Sequence, residues 1–163
     1  MKATSLIPVN NVAKGFLKEA AECLTGEITL CFEHAFPLPD ALVLFRKHQS
    51  HRIYEPKRDT ISPHTELFYC SLTPDFAQEL SRLAEIHDAS ELFWHVKGYD
   101  DQRMIFWVHD AYGAATAWLS VSIPADQLEC LAAGCGEELV TEDTSIDWDH
   151  PCRIDKSEQD FNG

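Results

Sequence analysis

Seven side chains within 28 residues have the types to form a recognition surface: Phe93, His95, Lys97, Trp107, His109, Trp118 and Ser120. They recur at every second position in three apolar segments, 92–99, 103–110 and 116–123, the spacing of strands with two distinct faces. A loop at 111–114 pairs Phe106 with Leu119, Val108 with Ala117, Trp107 with Trp118 and His109 with Thr116. A loop at 100–102 sets His95 opposite Trp107 and Phe93 opposite His109. One face then carries Phe93, His95, Trp107, His109, Trp118 and Ser120, together with Lys97. Rings with polar tips give large contact area at low entropic cost, with hydrogen-bonding handles. The competing reading is that helices cover this face and the tryptophans are core, since aromatic residues favour strands for packing reasons alone. A two-residue turn at Asp100–Asp101 would slide segment 92–99 by one position and turn its side chains over.

A second grouping is basic. Arg46, Lys47, Arg52, Lys57 and Arg58 lie within 13 positions, opposed only by Glu55, with His48 and His51 among them. Arginine forks in such a stretch suit a phosphate or carboxylate, so these seven side chains are a candidate anion site. A charge run is more often solvated than ligating, and this one has acidic surface of its own chain to pair with.

Other chemistry is poorly supported. His48-x-x-His51 lacks a third ligand near it in sequence, and Cys130-x4-Cys135 with His150-x-Cys152 does not match common zinc spacings. His64-Thr65-Glu66 matches half of a zinc-deaminase signature whose Pro-Cys-x-x-Cys half is missing. No Gly-x-Ser-x-Gly elbow and no glycine-rich phosphate loop occurs. His34 sits on an apolar strand face, where a hydrogen-bonded core histidine is the more frequent case. Neither a metal nor a cofactor is expected, and no catalytic residue can be assigned.

The elements that position these groups alternate. A helix is expected over 10–24 and a strand over 27–36, broken by Pro37 and Pro39. Residues 40–48 read as a short helix or a buried strand, and 49–64 as a loop. A strand at 67–72 meets Thr73, a good N-cap, with Pro74 at the first helical position, and this helix runs to about His87. After the three strand segments, Pro124 opens a helix that buries Leu128, Leu131 and Ala132 and stops at Gly134. Residues 138–141 read as a last short strand. The expected fold is α+β: a single mixed or antiparallel sheet of about five strands with three to four helices packed on it. Residues 1–142 form the expected globular domain and 143–163 an acidic, weakly ordered tail, with Trp148 as its one docking anchor.

Composition narrows the partners. Thirteen basic residues against 27 acidic ones give a net charge of −14, which disfavours direct nucleic-acid binding and anionic membranes and favours a basic protein partner. Self-association is compatible with the sequence. No apolar run approaches the ~20 residues of a membrane span. The start of the chain lacks a secretory pattern, and most of the six cysteines lie in apolar segments, so reduced thiols and a cytoplasmic location are expected. These features point to a non-enzymatic acidic binding module (an inhibitor, immunity-type or adaptor protein) acting through the aromatic face. The alternative is a small enzyme or ligand-binding domain for an anionic small molecule, built on the basic 46–58 stretch. A deep pocket joining that stretch to the histidines would favour the alternative.

Overall fold

The computed structural model describes residues 2–54, 65–101, 103–144, 146, 148 and 153–155. In chain order the elements are β1 (Lys2–Val9), α1 (Leu17–Cys23), β2 (Ile28–His34), α2 (Pro39–Lys47), β3 (Arg52–Tyr54), β4 (Glu66–Ser71), α3 (Pro74–Ile86), β5 (His95–Asp100), β6 (Arg103–Val108), β7 (Ala115–Ser120), α4 (Ala125–Cys135), β8 (Val140–Thr144) and β9 (Arg153–Asp155). Seven strands form one sheet in the order β4-β2-β5-β6-β7-β1-β8, and β3 pairs with β9 in a separate ribbon. Every neighbouring pair is antiparallel.

The fold is α+β with four helices, as expected, but the sheet has seven strands rather than about five. β1 was not foreseen. Lys2, Thr4, Ser5 and Pro8 interrupt its apolar alternation, and pairing to β7 and β8 on either side makes the strand. Proline cannot donate to a ladder. Pro8 is tolerated because β8 pairs with β1 only as far as Leu6, so among the described residues no strand lies beside it on that edge.

Local rules set the helix ends. Thr73 caps α3 by accepting the Phe76 amide at 3.1 Å, with Pro74 in the first turn. Residues 40–48 resolve as helix, opened by Pro39. α1 is preceded by a π-type turn, Val12–Phe16, capped by the Asn11 side chain on the Lys14 amide. α4 runs past Gly134 and ends where Gly136 adopts a left-handed φ of +69°. The Glu137 amide then reaches back to the Ala132 carbonyl, the ring-closing bond of a helix C-cap.

The register separates two sheet faces. Phe32, Val96, Val108, Ala117 and Ile7 align on one of them, and the helices cover it. Phe32 anchors this core, its ring 4.7 Å from Phe93, 5.0 Å from Phe45 and 5.9 Å from Phe76. Phe16 meets Phe106 edge-on at 5.2 Å. Ile28 and Leu30 join this face, whereas Phe36 lies beyond the end of β2 and is exposed.

A Cys23–Cys130 disulfide ties α1 to α4. This corrects the expectation of six reduced thiols. The two residues lie 107 positions apart in sequence, yet the helix pairing brings their Cα atoms to 5.8 Å, within disulfide range. Cys31, Cys70 and Cys135 take no part in a disulfide. The stretch expected as an acidic tail starts inside β8, buries Trp148 against the sheet, and supplies β9. Its other residues, Ile146 apart, lie outside the described residues. No helix among the described residues is long and apolar enough to cross a membrane.

Phe76→Ala and Leu80→Ala should each lower the unfolding free energy by about 2–5 kcal/mol through a core cavity, and Thr73→Ala by about 1 kcal/mol. Reducing the Cys23–Cys130 crosslink should lower it by about 2–4 kcal/mol. Urea denaturation with and without reductant checks both. An unchanged midpoint on reduction would show that the crosslink does not constrain the unfolded chain.

Candidate functional site

The second sheet face is built on the β5–β6–β7 meander. β6 and β7 pair as the sequence indicates, Phe106 with Leu119, Trp107 with Trp118 and Val108 with Ala117. The β5–β6 pairing differs. Asp100 opposes Arg103 and Tyr99 opposes Met104, which leaves a two-residue turn and shifts β5 by one position. The ladder then slips again between Tyr99 and Gly98, so that Gly98 opposes Phe106 and Lys97 opposes Trp107. The extra residue is Ile105, a bulge. Two one-residue slips restore the original facing. Lys97, rather than His95, thus sits across from Trp107, and His95 moves down to stack on His109, with ring centroids 4.4 Å apart and planes 10° from parallel.

Trp107 and Trp118 are adjacent and half-buried, and Leu6 continues their row on β1 and Val140 on β8. Trp107 meets His109 edge-on at 5.9 Å. Ser120 shares the face but closes on itself: its hydroxyl pairs with the Ser122 hydroxyl at 2.8 Å and accepts the Ser122 amide. It lies about four residues, roughly 13 Å, along the sheet from His109. Phe93 is not on this face. A short 3-10 turn, Ala89–Glu91, delays the start of β5 to His95, and Phe93 is buried in the helix-covered core against Phe32.

Polar groups are buried on the β2–β5 side. Glu33 and His95 are cross-strand partners, 3% and 4% exposed, and Lys97 is 8% exposed. The Asp110 amide donates to His95 Nδ1 at 2.9 Å, so that nitrogen carries no proton. Asp110 adopts a left-handed φ of 52°, a conformation asparagine and aspartate tolerate better than other non-glycine residues. Its carboxylate lies 3.8 Å from His95 Nδ1 and 3.5 Å from His109 Nε2. Trp148 completes a small second core with Cys31, Tyr99 and Met104, donating its indole N–H toward Thr4 Oγ1 at 3.4 Å. Asp110 and Glu33 escaped sequence reasoning. Asp110 follows the last alternating residue, and Glu33 is a lone acid in its strand with no motif around it.

The candidate anion residues do not converge. Lys47 and His48 both bind Glu79, which holds the Glu79 carboxyl below the usual carboxylate range, chiefly through the Lys47 hydrogen bond. Arg52 binds Glu27 at 2.6 Å and approaches Asp101 at 3.9 Å. Arg46 lines a separate groove beside Phe45 and Tyr69, and His51 is exposed. Lys57 and Arg58 lie outside the described residues. A cleft of about 750 Å³ contains Arg52 and Arg103 together with Glu27, Asp100 and Asp101, and neither His95 nor His109 lines it.

His34 is buried and satisfied. Its Nε2–H donates to the Ser90 carbonyl at 2.7 Å and its Nδ1 accepts the Phe36 amide at 2.7 Å. Burial lowers its pKa, opposed by the Ser90 bond. The unfolded chain therefore takes up this proton first, so the His34 contribution to stability is complete above pH ~6.5 and declines as pH falls below it. In an imidazole NMR titration of the folded protein, His34 should titrate below 6.5; a midpoint above that value would mean the ring is charged in the fold.

Comparison with models of protein families, with curated proteins and with solved structures found no match for this chain.

Proposed function

We propose that the protein is a non-catalytic binding module that grips a basic protein partner through the sheet face around Trp107 and Trp118. The cross-strand pairing of these half-buried rings, on the face opposite the helices, carries this reading. Leu6 and Val140 extend the patch, and exposed acids border it: Asp110 at one end and Glu142 on β8. An apolar centre with a charged rim is the usual anatomy of a specific protein interface. Aromatic residues at the centre supply most of the affinity, and the rim sets partner choice and association rate. A net charge of −14 makes the preferred partner basic. The anion-site alternative receives less support, because the cleft that holds Arg52 is separate from the histidines and sets three acids, Glu27, Asp100 and Asp101, against two arginines.

Immobilised protein should capture a partner from lysate of its native host at low salt and lose most of it at high salt. Trp107→Ala and Trp118→Ala should each reduce affinity by about 30-fold or more, the equivalent of ~2 kcal/mol, with an unchanged circular dichroism spectrum. Glu142→Gln should chiefly slow association. Equal capture by wild type and both tryptophan variants would contradict this reading.

A further inference from the structure

The end of the β5–β6 pair gathers three donor side chains, and we infer that His95, His109 and Asp110 form a binding site for a divalent transition-metal ion, with zinc the best chemical match. One donor atom from each lies within 4.8 Å of the others. A tetrahedral ion with bonds of ~2.1 Å needs donors about 3.4 Å apart. The separations of 3.5 Å from Asp110 Oδ1 to His109 Nε2 and 3.8 Å to His95 Nδ1 are close to that spacing. Two imidazoles and one carboxylate are a borderline donor set, suited to zinc, nickel or copper, whereas magnesium and calcium prefer oxygen donors alone.

The backbone supports the cluster. β5 fixes His95, which is almost fully buried, and the left-handed φ at Asp110 turns its carboxylate toward both rings. Backbone strain of this kind concentrates where side-chain placement matters. Binding requires two adjustments. His109, nearly half exposed, turns out of its parallel stack so that its lone pair meets the ion. The ion replaces the Asp110 amide as the partner of His95 Nδ1. Both are local movements at the end of a strand, and their cost points to a micromolar rather than a picomolar site. Three protein ligands leave a coordination position for water or for a donor from another molecule. The inference is independent of the binding-module reading, since the isolated chain tests it.

Zinc chloride should be titrated calorimetrically into the full chain carrying Cys135→Ser, which removes the half-buried thiol as a competitor. One ion should bind with a dissociation constant of about 10 µM or tighter, and the His95 and His109 imidazole resonances should shift in step with the heat. His109→Ala and Asp110→Asn, each with an unchanged urea midpoint, should weaken binding by about 10-fold or more. No binding at 100 µM zinc, calculated from the heat released, or equal binding by both variants, would overturn the site. So would binding by the parent chain that disappears with Cys135→Ser alone.

Discussion

The β5–β6 hairpin carries two single-residue offsets, and their cancellation decides which side chains share a face. The turn after Asp100 contributes one and the bulge at Ile105 the other. Side-chain direction in a strand has period two, so one offset alone would send His95 and Lys97 into the helix-covered core and bring Val96 out. With both, Val96 meets Val108 beneath the helices while Lys97 meets Trp107 on the opposite face. Gly98 fits this arrangement closely: the Phe106 ring lies where a Cβ on residue 98 would stand.

The second face divides into two halves with different physics. Over β2 and β5, Glu33, His95, Lys97, Thr29 and Cys31 are all buried, although only Cys31 is apolar. Burying such groups is costly without hydrogen-bonding partners, and the Asp110 amide on His95 and the Ser50 hydroxyl near Thr29 are two of them. Trp148 seals part of this half, its carbonyl accepting the Met104 amide at 3.1 Å. Over β6, β7 and β1, Trp107, Trp118 and Leu6 are only half-buried. Burial on one side and accessible aromatic area on the other fit the proposed recognition role, in which the aromatic side chains would be held in place before any partner arrived.

Much of this was legible in the sequence. The β6–β7 register followed from alternation and loop length, α3 from Thr73 and Pro74, and the buried face of α4 from helical spacing. What was missed depends on long-range pairing or on local chemistry that carries little hydrophobic signal. β1 is a strand because β7 and β8 flank it. The Ile105 bulge has no glycine or turn residue to mark it. The Cys23–Cys130 bridge appears only once α1 and α4 are packed. Phe93 is the instructive error, because a signal existed. Asp88 and Glu91 form a capping box around Ala89–Glu91, a pattern that holds the following residues out of β5 and turns Phe93 toward Phe32.

The account stands on the doubly shifted β5–β6 register, and backbone NOE spectroscopy on isotopically labelled protein reads it directly. Cross-strand contacts should join Tyr99 to Met104, Gly98 to Phe106 and Lys97 to Trp107, with ring contacts between His95 and His109. Contacts joining Gly98 to Ile105 and Lys97 to Phe106 would show an unbulged ladder, place Lys97 on the helix side, and remove the shared face.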